Sequence, residues 1–186
     1  DGAKSCAERF DDVSILFADI NGFTKLSEKV SAYSLVDLLN EIFVEFDKLT
    51  DKYGLEKIKT IGDCYMAASG VPKTIQNHAE LICKLAVDMM NKIPELCIKL
   101  DIKIGITIGI NSGSVIAGVI GENKFSYDLW GDAVNIASRL ESFGDSGCIN
   151  VSESTYHKVS NYFKFRKPTQ IDVKGKGILK NYIIEL

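Results

Sequence analysis

Two long amphipathic stretches bracket a tight hairpin, and that arrangement restricts the chain more than any other feature. In LEKIKTIGDCYMAAS (55–69), two runs of β-forming residues meet at Gly62-Asp63, a two-residue turn of the kind that closes antiparallel strands. Before it, Leu35, Leu38, Leu39, Ile42, Phe43, Phe46, Leu49 and Tyr53 recur at three- and four-residue steps, and Gly54 closes the stretch. After it, a helix is expected from about Gln76 to Ile93. Its stripe is Ala79, Ile82, Cys83, Ala86, Met89, Met90 and Ile93, with Pro94 as its stop. VSILFADI (13–20) reads as a buried strand ahead of this unit and DIKIGITIGI (101–110) as a strand behind it.

The order β-α-β-β-α-β specifies an α+β sandwich with a ferredoxin-like core: an antiparallel sheet with helices on one face. Additional C-terminal elements follow. VIAGVIG reads as a turn or a short helix start, YDLWG as a strand end and DAVNIASRLESF as a helix. INVSESTYHKV reads as a strand and a short helix, and two final strands flank KGKG. With 186 residues and no internal repeat, the chain reads as one domain over 13–186, preceded by a lead-in (1–12) that looks like the end of a linker. The abrupt opening DGAKSCAERFDD suggests a domain cut from a longer protein. No signal peptide and no membrane-length apolar run is evident.

Composition narrows the chemistry. A net charge of −3, from 22 basic and 25 acidic residues, argues against nucleic acid as a partner, although 164–180 carries a local basic cluster. Five scattered cysteines without a CxxC pair read as reduced thiols in an intracellular, cytoplasmic setting. Two distant histidines, His78 and His157, make a zinc site improbable. No P-loop GxxxxGK[ST] is present.

Asp19 closes the first strand, and Asp63 sits in the hairpin turn. In a ferredoxin-like sheet the first strand lies beside that hairpin, so two carboxylates 44 residues apart can converge on a hard cation such as Mg²⁺. The turn INGFTKLSE, entering a helix, offers backbone N–H groups to an anion. Cation and anion sites together suggest a nucleoside triphosphate. Taken singly, Asp19 reads equally as a strand end or helix cap, and Asp63 as a turn former.

The motifs FADINGFT, EKIKTIGDCYMAASGVP, YDLWGDAVNIASRLES and VKGKG remove that ambiguity. In this order, over nearly the whole chain, they make it resemble the catalytic domain of a class III nucleotidyl cyclase. The resemblance implies that Asp19, Asp63 and the backbone carbonyl of Ile20 bind two divalent metal ions, Mg²⁺ with Mn²⁺ as a substitute. Asn21, Gly22, Phe23 and Thr24 would cradle the β- and γ-phosphates, and Lys174 would grip the terminal phosphates. Lys59 and Asp128 would read the purine: a donor-only and an acceptor-only side chain match N1 and N6 of adenine, which points to ATP. Asn135 would orient the ribose. Arg139, four residues on and on the same helical face, would stabilise charge on the α-phosphate.

The resemblance also implies a head-to-tail homodimer in which Asp19 and Asp63 of one copy face Lys59, Asp128, Asn135 and Arg139 of the other. An upstream regulatory or sensor domain is a further expectation, in a full-length protein that is either free in the cytoplasm or tethered to a membrane. Asp132 is read as a helix cap, Lys176 as solvated, and Tyr127 and Trp130 as structural or interfacial. Ser114 in NSGSV is expected to stand where some relatives carry a basic phosphate contact. Three alternatives are a guanylate cyclase, a non-catalytic cyclase-like module and a diguanylate cyclase. Lys59 with Asp128, the retention of every site residue, and IGDC in place of GG[DE]EF argue against them in turn.

Overall fold

The computed structural model describes residues 7–120, 126–173 and 177–186. The elements run β1 (Ala7–Asn21), α1 (Phe23–Ser27), α2 (Ala32–Lys52), β2 (Glu56–Ile61), β3 (Cys64–Ser69), α3 (His78–Leu100) and β4 (Gly105–Ile120). They continue with β5 (Ser126–Trp130), α4 (Asp132–Ser142), β6 (Ile149–Ser152), α5 (Glu153–Val159), β7 (Thr169–Val173) and β8 (Gly177–Ile183). All strands join one eight-stranded sheet in the order β2-β3-β1-β4-β6-β8-β7, with β5 attached to β4. The segment β2-β3-β1-β4 is antiparallel throughout, which is the expected ferredoxin-like core. β6 then adds in parallel to β4.

Local sequence explains the elements that matter for the site. α2 begins at Ser31, whose hydroxyl accepts the Ser34 N–H. It ends in a paired cap: Gly54 takes a left-handed φ of 64°, its N–H bonds Asp51, and the Leu55 N–H bonds Thr50. The hairpin turn is two residues long, with Ile61 opposite Cys64 and Gly62 at φ 62°.

Four expectations are corrected. β1 starts at Ala7, and its register shifts between Phe10 and Val13, where Asp11 and Asp12 are exposed. α3 runs through Pro94 to Leu100. The missing N–H and ring clash cost about 3 kcal/mol, but burial of Ile93 and Leu96 on the continuing apolar stripe outweighs them. VIAGVIG is not a turn; it is the second half of β4, paired with the separate strand β5.

The sheet also has helices on both faces. Leu16, Ala18 and Ile20 of β1 pack with α2 and α3. Val13, Ile15 and Phe17 point the other way, into a second core with Met66, Val115, Leu129 and α4 residues Ala133 and Ala137. α4 is short and leaves part of that face open. There Ile61 remains exposed, while Ile116 and Trp130, which alternate with the buried Val115, Ala117 and Leu129, are exposed on β4 and β5. Among the described residues no helix is long and apolar enough to cross a membrane. The described cysteines, Cys64, Cys83, Cys97 and Cys148, are free thiols, two buried and two partly so.

α4 sits against β4 backbone to backbone because Gly109 has no side chain. A Cβ there would overlap the amide nitrogen of Glu141 and the carbonyl oxygen of Ala137. Gly109→Ala is therefore expected to push α4 off the sheet and destabilise the domain by roughly 1–3 kcal/mol. The shift of the urea midpoint measures it, and an unchanged midpoint would show that α4 tolerates displacement.

Candidate active site

β1 delivers Asp19 directly beside the hairpin. Asp19 is in register with Cys64 on one side and Thr107 on the other, and the Ile20 N–H donates to the Asp63 carbonyl at 3.3 Å. Two carboxylate-bearing residues 44 positions apart thus converge at the sheet end, as the strand order required. Burial holds the Asp19 carboxyl above its ordinary range, and the charge of Asp63 adds to the effect.

A third carboxylate, absent from the sequence reading, completes this acidic end. Glu141 comes from the last turn of α4. Burial, then Asp19, and more weakly Asp63, push its pKa up to about 7, while the Ser142 hydroxyl pulls the other way. Burial, joined by the charges of Glu141, Asp19 and Asp63, pushes the Cys64 thiol up to about 12, so it stays protonated and is no nucleophile. No spacing rule flags Glu141. The close approach of α4 at Gly109 brings it there.

The groups expected to hold metal offer oxygen only: the Asp19 and Asp63 carboxylates and the Ile20 carbonyl. Among the described residues no group of three or more His, Cys, Asp or Glu side chains is arranged to hold a metal. A few carboxylates that repel one another at a partly open sheet end fit Mg²⁺, which keeps most of its shell for water and substrate oxygens.

Beyond Asp19 the chain turns sharply. Gly22, at φ 87°, precedes the five-residue α1, and the Leu26 N–H returns to the Gly22 carbonyl. Asn21 is fixed by the Thr107 hydroxyl, which donates to its Oδ1 at 2.9 Å. Phe23 packs its ring against the main core, and Thr24 is exposed. The turn therefore has a rigid base, and its first-turn amides lack helical partners.

Lys59 and Asp128 form a second cluster. Lys59 Nζ and Asp128 Oδ2 lie 2.5 Å apart, across β2 and β5, and the Leu129 N–H donates to Asp128 Oδ1. Lys59 is opposite Met66, so it faces the same side of the sheet as the second core. No ion pair joins Lys59 to Asp63 among the described residues. Gly62 sends the one into the open face and leaves the other at the sheet end.

Asn135 and Arg139 are both exposed on α4, one turn apart. Asp132 is the first residue of α4, and Gly131 holds the cap position expected of it. Lys174 and Lys176 lie outside the described residues. Ser114 is not near Asp19. Its neighbour Gly113 pairs with Val13 at the far part of β1, and Ser114 lines a 440 Å³ cavity with Ile116, Trp130 and Asp132. The residue across from Asp19 is Thr107.

The sequence model of the family described as adenylate and guanylate cyclase catalytic domain matches residues 6–186. The chain belongs to this family. An adenylate cyclase of Mycobacterium bovis is 40% identical over 178 residues, covering 96% of this chain, which spans 40% of that protein's length. Two solved structures superpose closely on the cyclase domain. The adenylyl cyclase CyaB from P. aeruginosa does so with a TM-score of 0.92, at 33% identity over 97% of this chain and 96% of that one. The guanylate cyclase domain of RhGC from Catenaria anguillulae, in complex with GTP, does so with a TM-score of 0.90. Its identity is 34%, over 96% of this chain and 98% of that one. Relatives of both substrate types thus share the fold, and the cyclase domain's own side chains must distinguish them.

The acidic end gives a pH-dependent stability with a defined sign. Glu141 titrates near 7 when folded against 4.5 ordinarily. Its contribution is therefore fully present below about pH 4.5 and is lost as pH rises through about 7. In divalent-free buffer, Glu141→Gln is expected to remove part of the decline in denaturant midpoint across that window and to be the more stable protein near neutrality. Identical declines in both proteins would show that Glu141 ionises without cost.

Proposed function

We propose that this cyclase domain converts ATP to 3′,5′-cyclic AMP and pyrophosphate at sites shared by two head-to-tail copies of the chain. The observation that carries the choice of ATP is the Lys59–Asp128 pair, a donor-only ammonium beside an acceptor-only carboxylate on the open sheet face. Adenine presents the complement, an acceptor at N1 and a donor at N6, whereas guanine reverses it. The pairing supports the reading by holding both groups at the spacing of one base edge.

Two Mg²⁺ ions, or Mn²⁺, would be held by Asp19, Asp63 and the Ile20 carbonyl, and when bound they supply positive charge for the attacking hydroxyl and the departing pyrophosphate. The chain's own groups do the rest. Amides of the Asn21–Thr24 turn bind the β- and γ-phosphates, and Lys174 adds its charge to the terminal phosphates. Asn135 orients the ribose so that its 3′-oxygen lies in line with the α-phosphorus. As that oxygen gives up its proton to solvent and bonds to phosphorus, the bond to the bridging oxygen breaks and pyrophosphate leaves. Arg139 neutralises charge on the α-phosphate as it grows.

Dimerisation is supported by geometry within one copy. Asp19 and Asp63 stand at the sheet end, Lys59 and its partner Asp128 on the open face, and exposed Ile61 on the same side of β2 needs cover. A second copy placed on that face supplies the cover and completes each site. The same reading places the domain in the cytoplasm, beside a regulatory or sensor segment of a longer protein.

The purified domain, given ATP or GTP at matched Mg²⁺ or Mn²⁺, should prefer ATP. Lys59→Glu with Asp128→Cys should collapse ATP turnover, because each buried edge left unpaired costs about 1–3 kcal/mol. A preference for GTP in the unaltered protein would refute the base-reading assignment.

Subunit mixing tests the shared site. Asp63→Ala and Arg139→Ala should each be nearly inactive. Mixed in equal amounts with free exchange, they should recover about a quarter of wild-type activity, because half the dimers are mixed and each has one site free of both lesions. A mixture that exchanges subunits yet stays inactive would place both residues in one chain's site.

A further inference from the structure

A buried row of hydroxyls runs through the middle of the domain, and nothing in the cyclase chemistry above uses it. It starts at His78, the first residue of α3, which is only 3% exposed. Its Nδ1 lies 2.8 Å from Ser14 Oγ. From Ser14 the row passes to Ser112 at 2.7 Å, to Thr155 at 2.9 Å, to Ser152 at 3.1 Å and to Ser154 at 2.9 Å. Ser154 then meets Asn111 Oδ1 at 3.0 Å, and Asn111 Nδ2 donates to the Ala133 carbonyl at 2.9 Å. Ala133 is in the first turn of α4, the helix whose exposed face carries Asn135 and Arg139.

The direction of the row follows from its far end. Asn111 spends its amide N–H on Ala133, so its Oδ1 can only accept. The other partner of Ser154, the Ser112 carbonyl at 2.8 Å, is also acceptor-only. The single Ser154 proton is thus committed outward, and Ser154 must accept from Ser152. By the same rule Ser152 accepts from Thr155, Thr155 from Ser112, and Ser112 from Ser14. Each hydroxyl has one proton to give. Ser14 has then spent its own, and its contact with His78 is a hydrogen bond only if the ring carries a proton on Nδ1.

Two charged groups act on the ring in opposite directions. Nε2 faces Asp12 Oδ2 of β1 at 3.4 Å, a contact that would draw the proton to the wrong nitrogen. Lys158 of α5 engages the same carboxylate oxygen at 2.6 Å and offsets that pull. These two groups act on the ring from the elements packed around it.

We infer that His78 is a positioning residue for turnover: its Nδ1–H supplies the donor that completes the hydroxyl row in the direction its far end requires, and the row fastens the first turn of α4 through Asn111. The effect on turnover rests on the roles proposed for Asn135 and Arg139; the tautomer and the fastening do not. Reversing the proton on the ring leaves one oxygen–oxygen contact in the row without a hydrogen. The site for that loss is the Ser154–Asn111–Ala133 end, the only part of the row with an exposed hydroxyl.

The test pairs two amides of different reach. His78→Asn places an N–H where Nδ1 stands, and His78→Gln places one where Nε2 stands. His78→Gln is expected to lower kcat for ATP about three- to tenfold, the range that one hydrogen bond spans. KM should move less than twofold, since Lys59 and Asp128 belong to β2 and β5. His78→Asn should keep at least half of kcat. Equal losses in the two variants, or a loss confined to KM, would overturn the positioning role.

Two readouts need no catalysis. Nitrogen-15 spectra of the wild-type ring should show a proton on Nδ1, in a neutral ring or an imidazolium; a neutral ring protonated on Nε2 alone overturns the proposal. Amide exchange in the first turns of α4 should quicken in His78→Gln and not in His78→Asn, and no difference between them also overturns it. If the domain makes no cyclic nucleotide, the proposed function fails, while these two measurements still decide the role of His78.

Discussion

The central strand β1 is hydrogen-bonded along both edges, and the functional geometry follows from that double pairing. Its alternate residues face opposite cores, so a slip of one residue against either neighbour would exchange Leu16, Ala18 and Ile20 for Ile15, Phe17 and Asp19. The buried run from Val13 to Ala18 fixes the register, and with it the place of Asp19. Because β3 is the neighbour on one side, the turn that carries Asp63 arrives beside Asp19. Because β4 is the neighbour on the other, Thr107 arrives to hold Asn21. The strand ladder thus brings together residues that sequence distance separates.

α4 is the other half of the design. It lies on the face that α2 and α3 leave uncovered, close enough to β4 that Gly109 must lack a side chain. One flank of the helix sends Glu141 toward the acidic end, while Asn135 and Arg139 stay exposed. A helix held this closely transmits small displacements to the groups it carries, since packed backbones have little room to give. The polar row from His78 reaches this helix at its first turn, and the close contact at Gly109 meets its later turns. Together they hold it at two points.

Charge is arranged to match. The acidic end gathers carboxylates that burial and mutual repulsion push toward the neutral form, a state that a divalent cation would relieve. The Lys59–Asp128 pair instead joins opposite charges, and Lys59 lies on the same side of β2 as exposed Ile61. One region therefore favours cations and the other a flat polar edge, and a nucleotide has both a phosphate-bound cation and such an edge. In a single copy these regions are separate, which is the geometric basis for invoking a second copy.

The sequence by itself determined the βαββαβ order, the hairpin at Gly62-Asp63, the Gly54 end of α2 and the convergence of Asp19 with Asp63. All of these depend on local periodicity, turn chemistry or a strand order with few alternatives. The motif resemblance was equally legible, and it carried the candidate residues Lys59, Asp128, Asn135 and Arg139. Only the tertiary structure decided the rest. It carried α3 through Pro94, because burial of Ile93 and Leu96 outweighs one lost hydrogen bond. It brought Thr107 across from Asp19, because the register of β1 against β4 is set by burial on both faces of the sheet. It added Glu141 to the acidic end and threaded hydroxyls between His78 and α4. Those contacts join elements far apart in the chain, and no local pattern encodes a distance between faces that meet only after the core has closed.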